Sequence, residues 1–175
     1  MDITVLIRCY KQEQYLYDCV RRLGDVPYRI LSDYPQLGKR ERLNNIVWDI
    51  DTKYVAFNDA DDMTMDGRFD DIPKNIDLVY SDYYELSKDG CRLVKSKEFN
   101  RELLKQENYI PFSTIIVKTE LVRQFPFETD YKGGFEDWIW LNDVAEKTDK
   151  FLYRSIPTMV YRKSEPYGRL PVYRK

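Results

Sequence analysis

The feature of this sequence with the clearest chemical potential is an apolar run that ends in carboxylates. Residues 54–57 predict a buried strand, and Asp59, Asp61 and Asp62 follow it almost at once. Charges this close repel one another and are costly to desolvate, and a divalent cation relieves both problems. Hard oxygen ligands suit Mg²⁺ or Mn²⁺, which in turn bridge phosphate oxygens. The pattern favours a metal–phosphate site, with a solvated acidic turn as the alternative.

Two other acidic motifs fail at the same residues. A calcium-binding EF-hand loop starting at Asp62 would place Gly67 correctly, but Pro73 stands where the loop needs its last ligand, a glutamate. A phosphatase-type DxDx(T/V) motif needs Thr or Val where the chain has Met63, with Thr64 one position late.

Composition narrows the chemistry further. The 175 residues include no histidine, which excludes His-based triads, HExxH zinc sites and histidine bases. Proton transfer must therefore use a carboxylate, Lys, Tyr or Cys. The net charge of −2 gives no overall attraction to nucleic acid or anionic membrane, and no apolar run predicts a transmembrane segment. Cys9, Cys19 and Cys91 lack CxxC spacing and are interpreted as reduced core thiols of a cytoplasmic protein.

The elements around the acidic cluster predict how it is positioned. Strands are expected at 3–7, 28–31 and 54–57, with helices at 12–23 and 39–49 between them. This alternation implies right-handed crossovers and a parallel sheet, whose ligands bind beyond the carboxyl ends of the strands. The ends of the three strands are therefore expected to border one crevice. Further strands are predicted at 77–83, 91–94, 112–117 and 159–161, and helices at 119–124 and 136–147.

Taken in order, the motifs of the chain resemble those of family-two glycosyltransferases of the GT-A fold. The resemblance rests on GK at 38–39, LN at 43–44, YVAFNDADD at 54–62, VYSDYY at 79–84, DG at 89–90, GFEDWIWL at 134–141, IP at 156–157 and YR at 161–162. It implies an α/β fold of the GT-A (Rossmann-like) type, a mixed, mainly parallel sheet flanked by helices in a single domain. Residues 1–62 would form the nucleotide-sugar-binding half and 63–163 the acceptor and catalytic half, followed by a basic tail at 164–175.

The resemblance also implies roles for individual residues. Asp59 and Asp61 match the DxD carboxylates that take the donor ribose and a Mn²⁺ or Mg²⁺ ion, and Asp62 matches a nearby acidic position close to the metal. Asp137 matches the catalytic base, although the helix dipole favours a carboxylate there in any protein. The remaining assignments are Cys9, Tyr10, Asp33, Lys39 and Arg42 for donor binding, with a solvated helix face as the alternative for Lys39 and Arg42, and Glu136 and Trp138 beside the acceptor.

The chain departs from the family pattern at the first two strand ends. RCYK at 8–11 replaces the usual Pro-Thr-Tyr-Asn, and SDYP at 32–35 replaces the usual Asp-Asp-Gly-Ser. The nucleobase pocket is therefore altered, and Arg8 would either contact the diphosphate or reshape the entrance. The family's Gln-x-x-Arg-Trp motif is absent, which argues against a processive polysaccharide synthase.

The sequence thus predicts a metal-dependent inverting glycosyltransferase, a hexosyl- or pentosyltransferase. The donor would be a nucleotide-diphosphate sugar, with a UDP-sugar favoured, and the acceptor a hydroxyl on a glycan, a lipid carrier or a modified base in DNA. Two alternatives stay open. A nucleotidyltransferase would need a glycine-rich phosphate loop, which residues 8–11 lack. A non-catalytic sugar-nucleotide-binding module on the same fold would bind the donor without turning it over.

Overall fold

The computed structural model describes residues 2–32, 39–128 and 135–163. Within these ranges the chain forms eight strands and five α-helices. They are β1 (Ile3–Cys9), α1 (Glu13–Arg21), β2 (Tyr28–Ser32), α2 (Lys39–Ile46), β3 (Tyr54–Asp59), β4 (Met63–Thr64), β5 (Leu78–Ser87), β6 (Gly90–Val94), α3 (Arg101–Gln106), β7 (Ile116–Lys118), α4 (Thr119–Gln124), α5 (Glu136–Lys147) and β8 (Phe151–Arg162). Single 3₁₀ turns lie at Val47–Asp49 and Phe112–Thr114.

The described strands form one mixed sheet in the order β2-β1-β3-β7-β5-β8-β4, with β6 paired to β5. The pairs β1–β2, β1–β3 and β5–β8 are parallel, and β7, β6 and β4 run antiparallel to their neighbours. Five strands therefore run in one direction. The predicted mixed, mainly parallel sheet flanked by helices in a single α/β domain is confirmed.

Alternation along the central strands divides the core between the two faces of the sheet. Leu6, Val55 and Phe57 pack in a large cluster with residues of α2, α4 and α5. Val5 and Ile7, pointing the other way, pack in a second cluster with residues of α1. Fully burying each such side chain stabilises the fold by about 1.5–3 kcal/mol, so both faces of these strands fix their register.

Two elements differ from the sequence-based expectation. The strand predicted at 112–117 begins as a 3₁₀ turn, because Thr114 donates both its amide and its hydroxyl to the carbonyl of Pro111. Only Ile116–Lys118 pairs as β7. The short strand predicted at 159–161 is the end of the longer β8, which pairs with β5 along its length despite register shifts around Asp82.

Helix α3 and strand β4 are absent from the sequence-based assignment. The side chain of Asn100 caps α3 by accepting a hydrogen bond from the amide of Leu103 at 2.9 Å. Of the three cysteines, Cys9 and Cys19 are buried as expected, whereas Cys91 is exposed on the β6 hairpin. None of the described helices is long and apolar enough to cross a membrane.

The carboxyl ends of β1, β2 and β3 lie side by side in the sheet, as the predicted parallel arrangement requires. In the sheet register, Arg8 of β1 pairs with Asp59 of β3, and Cys9 pairs with Ser32, the last residue of β2. The amide of Ala60 donates to the carbonyl of Arg8 at 2.9 Å, which carries the β1–β3 contact into the turn after β3. The carboxyl edge of the sheet thus presents the acidic cluster directly beside Arg8.

Candidate functional site

A bidentate ion pair between Arg8 and Asp59, in a fork-like arrangement, joins the ends of β1 and β3. Arg8 Nε donates to Asp59 Oδ1 at 2.6 Å, and Arg8 Nη2 donates to Asp59 Oδ2 at 2.7 Å. The guanidinium also lies over the Phe112 ring, 4.6 Å from its centroid. Burial alone would lower the pKa of Arg8, but the Asp59 carboxylate outweighs it and the pKa is raised. Arg8 is therefore a fixed cation, and both oxygens of Asp59 are engaged with it.

The turn at residues 59–62, called the acidic turn below, is anchored to the protein interior by Asp62. Asp62 is 1% exposed, and its Oδ2 accepts a hydrogen bond from the Ser113 hydroxyl at 2.5 Å. Its Oδ1 accepts from the backbone amide of Arg162 at 3.1 Å. Burial, followed by the charge of Asp59, raises the pKa of Asp62 well above its usual range. Both oxygens thus serve to tie the turn to the 3₁₀ turn at Phe112–Thr114 and to the end of β8.

Asp61 lies between these two residues in a different environment. Its side chain is partly buried, and it forms no ion pair with the residues that the structure describes. Burial, then the charge of Asp59, raises the pKa of Asp61. A cation beside Asp61 would stabilise the ionised carboxylate, and carboxylate oxygens are suitable ligands for a divalent metal. Within the described ranges, no three Asp, Glu or Cys side chains are grouped as a metal-binding cluster.

The buried side chain of Arg68 connects the residues on either side of this turn by hydrogen bonds. Arg68 is 1% exposed, and its Nη2 donates to the backbone oxygens of Phe57 at 2.7 Å and Ser113 at 2.8 Å. Its Nη1 donates to the side chains of Asn58 and Thr64. Burial lowers the pKa of Arg68 to about 10. Sequence reasoning missed this residue, because a single arginine in a polar stretch carries no periodic or motif signal.

Asp137 stands at the first turn of α5. Its Oδ1 accepts a hydrogen bond from the amide of Trp138 at 2.8 Å. Burial is the largest influence and raises the pKa of Asp137, with Glu136 acting in the same direction and Arg8 against it. Glu136 itself is buried and forms an ion pair with Arg40, whose Nη2 lies 3.5 Å from Glu136 Oε2. This pair ties the start of α5 to α2 and so holds Asp137 in position.

Some of these groups line one cleft with a volume of about 490 Å³, whereas Asp61 and Asp62 are not among its lining residues. Its charged wall includes Arg8, Asp59 and Asp137, which the structure brings together from β1, β3 and α5. The rest of the lining includes the aromatic rings of Tyr83, Tyr109, Phe112 and Tyr161 and the side chains of Lys95 and Lys97. Tyr83 and Tyr161 meet edge to face, with ring centroids 6.1 Å apart. The cleft therefore combines charge with aromatic surface.

Several residues predicted for the site lie elsewhere. Cys9 is buried in the core against α1, and Tyr10 is 58% exposed and does not line the cleft. The Trp138 indole donates to the carbonyl of Leu104 at 2.6 Å and so faces α3. Arg42 is partly buried on α2. Asp33, the side chain of Lys39 and the tail at 164–175 lie outside the described residues.

Comparison with solved structures identifies the fold. The S. aureus protein TarS in complex with UDP superposes with a TM-score of 0.70 at 15% identity, covering 94% of this chain and 61% of that one. A mannosyltransferase of Pyrobaculum calidifontis, PcManGT, solved with GDP-Man and Mn²⁺, has a TM-score of 0.56 at 15% identity, covering 95% of this chain and 57% of that one. The chain has a GT-A-like glycosyltransferase fold.

A third neighbour is a glycosyltransferase involved in the glycosylation of the major capsid of PBCV-1. It has a TM-score of 0.52 and 10% identity, covering 90% of this chain and 92% of that one. TarS has also been solved with UDP-GlcNAc. The chain spans about three fifths of the length of the TarS chain it matches. No protein-family model matches the sequence, and no curated protein matches it significantly.

Proposed function

We propose that this protein is a metal-dependent inverting glycosyltransferase of family two that uses a nucleotide-diphosphate sugar. The observation that carries the proposal is the meeting of Asp137 with the Arg8–Asp59 pair in one cleft. A candidate base with a raised pKa thus faces a fixed cation at the carboxyl edge of a GT-A-like sheet. The fold alone would not carry this conclusion, because one fold serves many functions.

The donor would lie across the ends of β1, β2 and β3, with its diphosphate near the acidic turn. A UDP-sugar is the first candidate, supported by the neighbour TarS, which was solved with UDP and with UDP-GlcNAc. Asp33, which follows β2 directly, would contact the nucleobase. Lys39 and Arg42 of α2 would add positive charge on the phosphate side.

Asp61 is the strongest of the three candidate metal ligands. The oxygens of Asp59 are engaged with Arg8, and those of Asp62 bond to Ser113 and Arg162. We assign Asp61 to Mn²⁺ or Mg²⁺, with Asp59 and Asp62 as flanking charges. Such an ion supplies neutralisation of the charge that develops on the leaving diphosphate. The neighbour PcManGT was solved with Mn²⁺.

In the chemical step, Asp137 accepts the proton of an acceptor hydroxyl. The hydroxyl oxygen attacks the anomeric carbon from the face opposite the diphosphate, and the bond from that carbon to the phosphate oxygen breaks. The product therefore has inverted anomeric configuration. A carboxylate with a raised pKa suits this role, because a base works best when its pKa approaches the working pH. The Arg40–Glu136 pair would hold the start of α5, and with it Asp137, in a fixed position relative to α2.

The acceptor would enter from the aromatic side of the cleft. Tyr83 and Tyr161 offer ring surface on which a sugar can stack, and both lie in the half of the chain from 63 to 163. We therefore favour a saccharide acceptor, on a glycan or a lipid carrier, over a modified base in DNA. Salt-sensitive retention of the protein on DNA would reverse that order.

The proposal is tested by titrating UDP, GDP, CDP and TDP into the protein by calorimetry, with Mn²⁺ and with EDTA. We expect one nucleotide to bind most tightly and Mn²⁺ to strengthen its binding. The matching nucleotide sugars are then assayed for release of the nucleotide diphosphate, with and without simple saccharide acceptors. Absence of binding by all four nucleotides would refute the proposal. Binding without any turnover would favour the non-catalytic module instead.

A further inference from the structure

We propose that Arg8 is a donor-binding residue whose guanidinium contacts the diphosphate directly, and that Asp59 orients this guanidinium. The inference rests on the proposed function and assigns part of the phosphate recognition to a protein side chain. It also gives a specific purpose to the departure from the family pattern at residues 8–11. Three observations on the Arg8 side chain carry it.

The first observation is the way in which Arg8 uses its donors. The bidentate pair with Asp59 uses Nε and Nη2, and Nη1 donates to no acceptor among the described residues. The side chain is 18% exposed, and it lines the cleft. A guanidinium carries five N–H donors, so the fork leaves donors available to phosphate oxygens. Arginine side chains recognise phosphate through short, charge-assisted hydrogen bonds.

The second observation is that the guanidinium is fixed before any ligand arrives. Asp59 holds one edge of the guanidinium, and the ring of Phe112 supports its plane at 4.6 Å. The register pairing of Arg8 with Asp59 fixes both backbones as well. A preorganised side chain loses little rotamer freedom on binding, so more of its interaction energy contributes to affinity.

The third observation is the balance of charge at the edge of the sheet. Asp59, Asp61 and Asp62 lie within four positions of one another, and Asp137 faces the same cleft as Asp59. A diphosphate adds further negative charge to this surface. Arg8 interacts favourably with Asp59, Asp137 and Asp62, so it is placed to offset the added charge. Part of the affinity for the diphosphate should therefore persist when divalent metal is removed.

The test compares UDP with UMP, and GDP with GMP, in EDTA and in Mn²⁺, on the wild type and on Arg8→Gln and Arg8→Lys. In EDTA we expect Arg8→Gln to lower the affinity for the diphosphate by roughly 10- to 100-fold, the worth of charge-assisted hydrogen bonds. The affinity for the monophosphate should change much less. Arg8→Lys keeps the charge but loses the fork, so its affinity for the diphosphate should lie between the other two.

Arg92→Gln is the matched control, because Arg92 also donates to a carboxylate, Glu85, at 2.8 Å but does not line the cleft. It should bind all four nucleotides like the wild type. Equal affinity of wild type and Arg8→Gln for the diphosphate, or equal loss for diphosphate and monophosphate, would overturn the inference and leave the proposed function standing. If Arg8→Gln does not fold, Arg8→Lys is compared with the wild type instead, by the loss of affinity for the diphosphate relative to the loss for the monophosphate. Failure of the wild type to bind any nucleotide would refute the proposed function itself.

Discussion

Arg68 Nη2 lies 2.7 Å from the backbone oxygen of Phe57, inside the core and two residues before Asp59. The same nitrogen reaches the backbone oxygen of Ser113 at 2.8 Å. One buried cation thus joins the end of β3 to the 3₁₀ turn that carries Ser113, the partner of Asp62. The direction in which the acidic turn leaves the sheet depends on a residue that lies entirely beneath it.

We expect Arg68→Met to lower the free energy of unfolding by roughly 3 kcal/mol or more, because two buried carbonyls lose their donor. Urea denaturation followed by circular dichroism measures the change. Arg92→Met, at an exposed arginine of β6, should cost less than about 1 kcal/mol. Equal stabilities for the two variants would show that the buried guanidinium is not needed to hold the turn.

Asp61→Asn should remove the gain in nucleotide affinity that Mn²⁺ produces, because an amide oxygen carries no charge for the ion. We expect that gain to fall at least about 10-fold, as when a metal site loses a supporting group. Asp66→Asn, at an exposed position shortly after the turn, is the matched control and should leave the gain unchanged. Calorimetry with and without Mn²⁺ distinguishes the two, and an undiminished gain in Asp61→Asn would exclude Asp61 as a ligand.

Asp137→Asn should abolish sugar transfer while leaving nucleotide binding intact. A positioned general base contributes roughly 10²- to 10⁴-fold to the rate, so a loss of this size is expected in kcat. Asp143→Asn lies on the same helix at an exposed position and should transfer at the wild-type rate. Unimpaired transfer by Asp137→Asn would remove Asp137 from the mechanism.

The pH dependence of transfer should report on Asp137, which accepts a proton only when it is ionised. Burial raises its pKa, Glu136 adds to this, and the Trp138 amide and Arg8 oppose it. The rate should therefore rise with pH through an acid limb that lies above the usual Asp value of about 3.9, and then level off. In Arg8→Gln the limb should move to still higher pH, measured as kcat at saturating donor. An acid limb that stays in place would contradict the interaction of Arg8 with Asp137.

Asp77 offers a prediction about stability away from the cleft. Burial alone would raise its pKa, but hydrogen bonds from Lys118 and Thr148 lower it on balance. Because the folded-state pKa lies below the unfolded one, the stabilisation is present above the unfolded value and is lost as pH falls through the folded value. Asp77→Asn should cost about 1–2 kcal/mol at neutral pH and progressively less in acid.

Thermal unfolding of Asp77→Asn at several pH values measures this trend. Asp149→Asn, nearby and exposed, should follow the wild type at every pH. A difference between Asp77→Asn and wild type that does not shrink in acid would mean that the lost contact is not ionic.

The sequence was sufficient for the elements that periodicity defines. The apolar runs of β1 and β3 and the amphipathic pattern of α5 place these elements correctly, and their order predicts where the strand ends meet. Helix α5 agrees at both ends with the predicted range of 136–147. Asp59 and Asp137 line the same cleft, and the family resemblance had implied that both belong to one site.

Contacts between side chains distant in sequence were not predictable. The Arg8–Asp59 fork links residues 51 positions apart, and the sequence left the role of Arg8 open between two possibilities. The resemblance implied a place beside the acceptor for Trp138, and the indole donates to the carbonyl of Leu104 in α3. A helix turns successive side chains about 100° apart, so the sequence alone does not show which neighbour of Asp137 shares its direction. The length of β8 was underestimated because Arg154, Ser155 and Pro157 interrupt its apolar pattern.

The hydrogen bond from the Arg162 amide to Asp62 spans 100 residues of chain. Strand β8 also pairs with Met63 and Thr64, immediately after the acidic turn. Contacts of such long range form slowly, because the loop they close must lose its freedom first. During synthesis the acidic turn emerges early, yet it can take its final shape only after the chain through Arg162 has left the ribosome. Folding of the candidate site is therefore obligatorily late, even though most of its charged residues are made first.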